Sequence, residues 1–94
     1  AEQGVVGAMY DIGCFYFKGQ GVEKNIEKAV YWFTKGAEQG NADAQSNLGF
    51  CYITGQGVPQ NTAIAVRWWK KAAQQGHQNA IRNLEICRAN GDCD

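Results

Sequence analysis

The sequence is short of most of the residues that announce a dedicated chemistry. It holds one histidine, one proline and one methionine in 94 residues, no surplus of either charge and no long apolar run. Each shortage excludes something. Without about 18 consecutive apolar residues no segment crosses a membrane as a helix, and the first residues carry neither the basic nor the apolar region of a signal peptide. Nine basic and nine acidic side chains cancel, which argues against a dedicated nucleic-acid binder. The local basic cluster Arg67, Lys70 and Lys71 fits a solvated helix face. One histidine and four cysteines without a C-x-x-C pair give no zinc spacing. His77 stands far along the chain from Cys14, so no Cys–His nucleophile pair is expected. Neither a cofactor nor a metal is therefore expected. With a single proline and 45% hydrophobic residues, the chain reads as one ordered, soluble domain.

What is there is repetition. AEQG at Ala1–Gly4 returns at Ala37–Gly40 and, as AQQG, at Ala73–Gly76, a spacing of 36 residues. The same register aligns Ala8, Ala44 and Ala80; Ile12, Leu48 and Leu84; Gly13 and Gly49; Tyr16 and Tyr52; Ala29 and Ala65; and Trp32 and Trp68. The first residue falls inside the repeating phrase, as expected of either a processed leader or a longer array.

Within a repeat the apolar spacing is helical. Ala44, Leu48, Cys51 and Tyr52 recur at intervals of four and three, as do Ile64, Ala65, Trp68, Trp69, Ala72 and Ala73. Each repeat is thus two helices. The first type (A) is expected near Val6–Lys18, Ala42–Thr54 and Gln78–Asn90, and the second (B) near Ile26–Gln39 and Thr62–Gln75. Asn25 and Asn61 sit where N-caps belong, and Gly40, Gly76 and Gly91 where helices end in a left-handed residue. The twice-written GQGV at Gly19–Val22 and Gly55–Val58 reads as a corner: Gly19 and Gly55 end the A helix, Gly21 and Gly57 bend again, and the valine plugs inward. A phosphate loop would need a preceding strand and a following Lys-Ser/Thr or further glycine, which neither copy has. Mid-helix Gly13 and Gly49 cost roughly 1 kcal/mol each relative to alanine, so close approach of a B helix through Ala29 and Ala65 is expected there.

The stretch ADAQSNLGFCYITGQGVPQNTAIAVRWWKKAAQQG at Ala42–Gly76 resembles the Sel-one-like repeat (SLR) family, relatives of the tetratricopeptide repeats, and the resemblance covers essentially the whole chain. Departures from the family pattern are Asn25 and Asn61 for the usual Asp, Ile64 for a Lys, and Glu85 for a Gly. The resemblance implies an all-α, right-handed α-solenoid of five helices. Its units are repeats 1–36 and 37–72 and a partial third repeat, 73–94, serving as a capping helix. It further implies a concave face lined by A helices that holds another protein or peptide, as in the mostly bacterial scaffold and adaptor relatives. Some cysteine-rich relatives are linked to β-lactam binding. They place one cysteine at the end of a B helix and its partner eight residues on, whereas Ala37–Ala44 contains none.

Taking Leu48, Cys51 and Tyr52 as inward, the groove flank collects Tyr10, Cys14, Phe17 and Lys18; Asp43, Asn47, Phe50, Ile53 and Thr54; and Asn79, Arg82, Asn83, Ile86 and Asn90. Only Asp43 is acidic, so no carboxylate pair is available for acid–base chemistry and a non-catalytic function is expected. Tyr10, Phe17, Phe50, Ile53 and Ile86 form an apolar patch that suits a protein-docking surface, or one covered by flanking repeats or by self-association. Asn47 and Asn83 occupy equal places on consecutive A helices; related grooves use such an asparagine on a ligand backbone, and helix-surface amides are the plain alternative. Trp32 and Trp68 are expected in the core, with Trp69 partly exposed on the convex side.

The even cysteine count suits an oxidising compartment, periplasmic or secreted. Cys51 and Cys87 are expected as small core residues. Cys87 and Cys93, either side of Gly91, could form a short disulfide, which would leave Cys14 free or joined to another chain.

Overall fold

A computed structural model describes residues 2–19 and 25–89, with side chains from residue 8 onward. Among the described residues the regular elements are all helices: α1 (Glu2–Lys18), α2 (Ile26–Glu38), α3 (Ala42–Thr54), α4 (Thr62–Gln74) and α5 (Gln78–Ala89). Each helix packs chiefly on its neighbours in sequence, α1 with α2, α2 with α3, α3 with α4, and α4 with α5. That connectivity makes a helical-repeat solenoid of two hairpins and a closing helix. The molecule measures 38 × 28 × 17 Å. Its thin dimension suits two layers of helices, since packed axes lie about 8–10 Å apart.

The boundaries follow from side-chain chemistry. Asn25 Oδ1 accepts from the Lys28 amide at 3.1 Å and Asn61 Oδ1 from the Ile64 amide at 3.1 Å, opening α2 and α4. Asn41 caps α3 in the same way, 2.8 Å from the Ala44 amide. At the equivalent place before α5 stands His77, whose Nδ1 accepts from the Ala80 amide at 3.2 Å. The B-to-A turns are closed by paired bonds: the Asn41 amide donates to Gly36 O and the Gly40 amide to Ala37 O, and His77 and Gly76 repeat this on Ala72 and Ala73.

The A-to-B corner is built on glycine. Gly19, Gly55 and Gly57 have φ of 73°, 72° and 74°, a region that only glycine enters without strain. Val58 packs half-buried against the core. Gly21, Val22 and Gly91 lie outside the described residues.

Two clusters make up the core. Ala29, Val30, Phe33, Ala37, Ala44, Leu48 and Cys51 join α2 to α3, and Val66, Trp69, Ala72, Ala80, Leu84 and Cys87 join α4 to α5. The tryptophans depart from expectation. Trp69 is the buried one, 4% exposed, with its indole N–H donating to Ser46 O at 3.0 Å, while Trp32 and Trp68 are half-buried. The reason lies in helix phase and in a vacancy. Trp69 follows Ala65 by four residues, which keeps it on the face toward α3, and Gly49 leaves room for the ring: a Cβ there would lie 2.5 Å from Trp69 Nε1 and 3.0 Å from Ala65 O. Gly13 makes the same space for Phe33, whose ring would lie 2.7 Å from an added Cβ, with Ala29 O at 3.3 Å. The expected approach of Ala29 and Ala65 is thus present, but through their carbonyls, with the ring one helical turn on as the nearest neighbour.

One buried side chain ties the layers by hydrogen bonding. Gln45, 4% exposed, donates to Ala37 O at 3.1 Å and accepts from Gln75 Nε2 at 3.1 Å. Three consecutive helices are linked through one satisfied amide.

Candidate functional site

The last turns of α1 present Tyr10, Cys14, Phe17 and Lys18, spaced by four, three and one residues, on a single face. Across from them α3 presents Asn47 and Phe50. Phe33 of α2 completes the enclosure, and the seven residues line a cavity of about 320 Å³. Aromatic contacts hold its walls: Tyr10 and Phe17 lie 6.0 and 6.2 Å from Phe33, ring centre to ring centre. Phe17 meets Phe50 edge-on at 6.5 Å. Phe50, 43% exposed, forms the outer lip.

The polar groups of the cavity are a phenol, a thiol, an amide and one ammonium. Burial pushes the Tyr10 hydroxyl up to about 12, helped by the Cys14 thiol and the Asp43 charge and opposed by a hydrogen bond with Asn47. At neutral pH it is a neutral donor and acceptor. Cys14 is a free, half-buried thiol. No base reaches it from His77, whose Nε2 meets Asp43 Oδ1 at 2.8 Å while Nδ1 caps α5. Such a set can bind and orient a ligand by packing and hydrogen bonding; it offers no activated nucleophile.

Of the residues expected on the groove flank, Tyr10, Cys14, Phe17, Lys18, Asn47 and Phe50 are brought together. Asp43, Ile53, Arg82, Asn83 and Ile86 do not line this cavity. Asp43 is exposed and joined to His77. Ile53 is half-buried and packs against the α4/α5 cluster. Asn83 is half-buried and Arg82 exposed, and Ile86 is 53% exposed. The expectation that all five apolar groove residues form an open patch is corrected: Phe50 and Ile86 are exposed, whereas Tyr10, Phe17 and Ile53 also pack against the core. Phe33 was missed by sequence reasoning, although the mid-helix Gly13 that accommodates its ring was the signal for it. Cys51 is fully buried and its thiol is pushed up to about 11 by burial. Cys87 is buried and disulfide-bonded; Cys93 and Asn90 lie outside the described residues.

A family model for the Sel1 repeat matches the chain twice in succession, over residues 6–41 and 42–77. The chain belongs to the Sel1 repeat family. Members are commonly protein-interaction modules and are generally non-catalytic repeat scaffolds. Among solved structures, this Sel1 repeat chain is similar to a Sel1 repeat protein from Oxalobacter formigenes, with 45% identity and a TM-score of 0.88 over 92% of this chain and 35% of that one. It is also similar to a protective antigen with an SLR fold from uropathogenic Escherichia coli strains, with 37% identity and a TM-score of 0.90 over 97% of this chain and 20% of the other. Helicobacter pylori cysteine rich protein B aligns at 29% identity and a TM-score of 0.79, over 85% of this chain and 60% of that one. The Sel1 repeats here therefore span between a fifth and three-fifths of the length of these relatives. No curated protein sequence matches the chain. No helix among the described residues is long and apolar enough to cross a membrane.

Proposed function

We propose that this Sel1 repeat chain is a non-catalytic scaffold or adaptor that holds a segment of another protein in the groove between α1 and α3. The observation that carries the reading is the aromatic-walled cavity between these two helices, open at Phe50 and edged by the Asn47 amide. Pockets of this kind, apolar with a few convergent polar groups, are where ligands dock. The zero net charge favours a protein segment over nucleic acid. Acylation of Cys14 by a β-lactam has no support, because the sole histidine is committed to Asp43 and to the α5 cap.

The test compares binding of a captured partner by the parent chain, by Phe50→Ala and by Tyr31→Ala. Tyr31 is 55% exposed on α2 and lies outside the cavity, so it serves as the control. Phe50→Ala is expected to weaken binding at least tenfold, as loss of an aromatic anchor does, with the helical circular-dichroism signal unchanged; Tyr31→Ala is expected to bind as the parent does. Equal binding by all three would place the partner elsewhere. Light scattering that rises with concentration and is abolished by Phe50→Ala would instead assign the groove to a second copy of the chain.

A further inference from the structure

The charge that lines the groove cavity is of one sign. Lys18 is its one cationic lining residue and no carboxylate lines it. Asp43, whose charge reaches Tyr10, is already joined to His77. Three other lysines lie on rings, Lys28 5.4 Å from the centre of Tyr16, Lys35 5.0 Å from Tyr31 and Lys71 4.9 Å from Trp68, whereas Lys70 is exposed on α4 away from the groove cavity. Lys18 stands beside Phe17 and Phe50 without such a contact and, among the described residues, without an anionic partner.

The volume of about 320 Å³ is at the small end of ligand pockets, which run from about 300 to 1,000 Å³. It suits one bulky side chain rather than a folded element. In an extended chain successive side chains point to opposite sides, about 3.3 Å apart along the strand. When one enters the cavity, its immediate neighbours point away from the protein, and the residue two positions along, about 6.6 Å further on, turns back toward the rim, where the exposed Lys18 ammonium stands.

Resting on the reading of the groove as a protein-segment site, we infer that the cavity takes one bulky apolar side chain of an extended segment that carries a carboxylate two positions away. The Lys18 ammonium meets that carboxylate. A cation in the last turn of α1 also suits the helix dipole, but that effect acts on stability and leaves peptide choice unchanged.

A displayed library of random dodecapeptides selected on the chain tests this. Enriched peptides are expected to share a bulky apolar residue two positions from Asp or Glu, and synthetic copies should lose at least tenfold in affinity for Phe50→Ala. On Lys18→Glu they should lose about fivefold, the scale of an exposed ion pair, and selection on that variant should exchange the acidic residue at that spacing for a basic one. Peptides that need Phe50 but show no acidic residue at that spacing, or that ignore Lys18→Glu, overturn the inference and leave the groove reading standing. Enriched peptides indifferent to Phe50→Ala overturn both. Absence of any enrichment, with small aromatic fragments instead shifting the nuclear magnetic resonance signals of Asn47 and Phe50, assigns the cavity to a small molecule and also overturns both.

Discussion

Gly49 and Trp69 occupy one another's space. Helix propensity alone would make Gly49→Ala stabilising by about 1 kcal/mol, yet the new methyl would meet the indole at 2.5 Å and a backbone carbonyl at 3.0 Å. Overpacking of this kind costs about 1–3 kcal/mol, so a net loss of stability is expected, read as a lower urea midpoint with an unchanged slope. The buried titratable groups set a second expectation. Tyr10 is raised from 10.0 to about 12 and Cys51 from 9.0 to about 11. In both the neutral form is favoured by folding, so the unfolded chain gives up these protons first. The associated stability is fully present below about pH 9 and is lost as pH rises through about 11 and 12. Ultraviolet absorbance titration should show one tyrosine ionising last, and Tyr10→Phe should remove that step. In the native protein at pH 8 a thiol reagent should modify Cys14 and spare Cys51.

At the scale of the helix, the starts of α2 and α4 were legible because asparagine capping needs only a local side chain and a free amide. The start of α5 rests on His77, a residue type rarely used for that purpose, and its cap became visible only with the neighbouring Asp43 in place. His77→Asn is expected to keep the cap, as Asn41 does one repeat earlier, while His77→Ala should cost about 1 kcal/mol; thermal denaturation of the two variants checks this. The B-helix core face was harder to read. Positions three and four residues after Ala65 both satisfy a helical period, so Trp68 and Trp69 could not be separated by spacing alone. The decision came from the opposing helix, where Gly49 admits the larger ring. A tertiary vacancy, rather than a local preference, selected the buried tryptophan.

On the scale of the whole molecule, two hairpins and a closing helix were readable from the 36-residue period, because each hairpin can bury its apolar face only against its neighbours. The groove was readable in part. The flank of α1 and its facing residues on α3 followed from helical geometry. The contribution of α2 through Phe33, and the inward turn of Ile53 toward α4 and α5, depend on how three helices meet, which periodicity within one helix does not encode. Ile53→Ala should consequently lower stability as a large-to-small core change does, whereas Phe50→Ala, at an exposed lip, should leave the melting temperature within about two degrees.

The most direct measurement is amide chemical-shift mapping of the chain as a peptide selected for binding to it is added. Perturbations gathered at Tyr10, Cys14, Lys18, Asn47 and Phe50, with Tyr31, Arg67 and Lys71 unmoved, are the expected result. Perturbations confined to Tyr31, Arg67 and Lys71, with the α1/α3 groove silent, would contradict it.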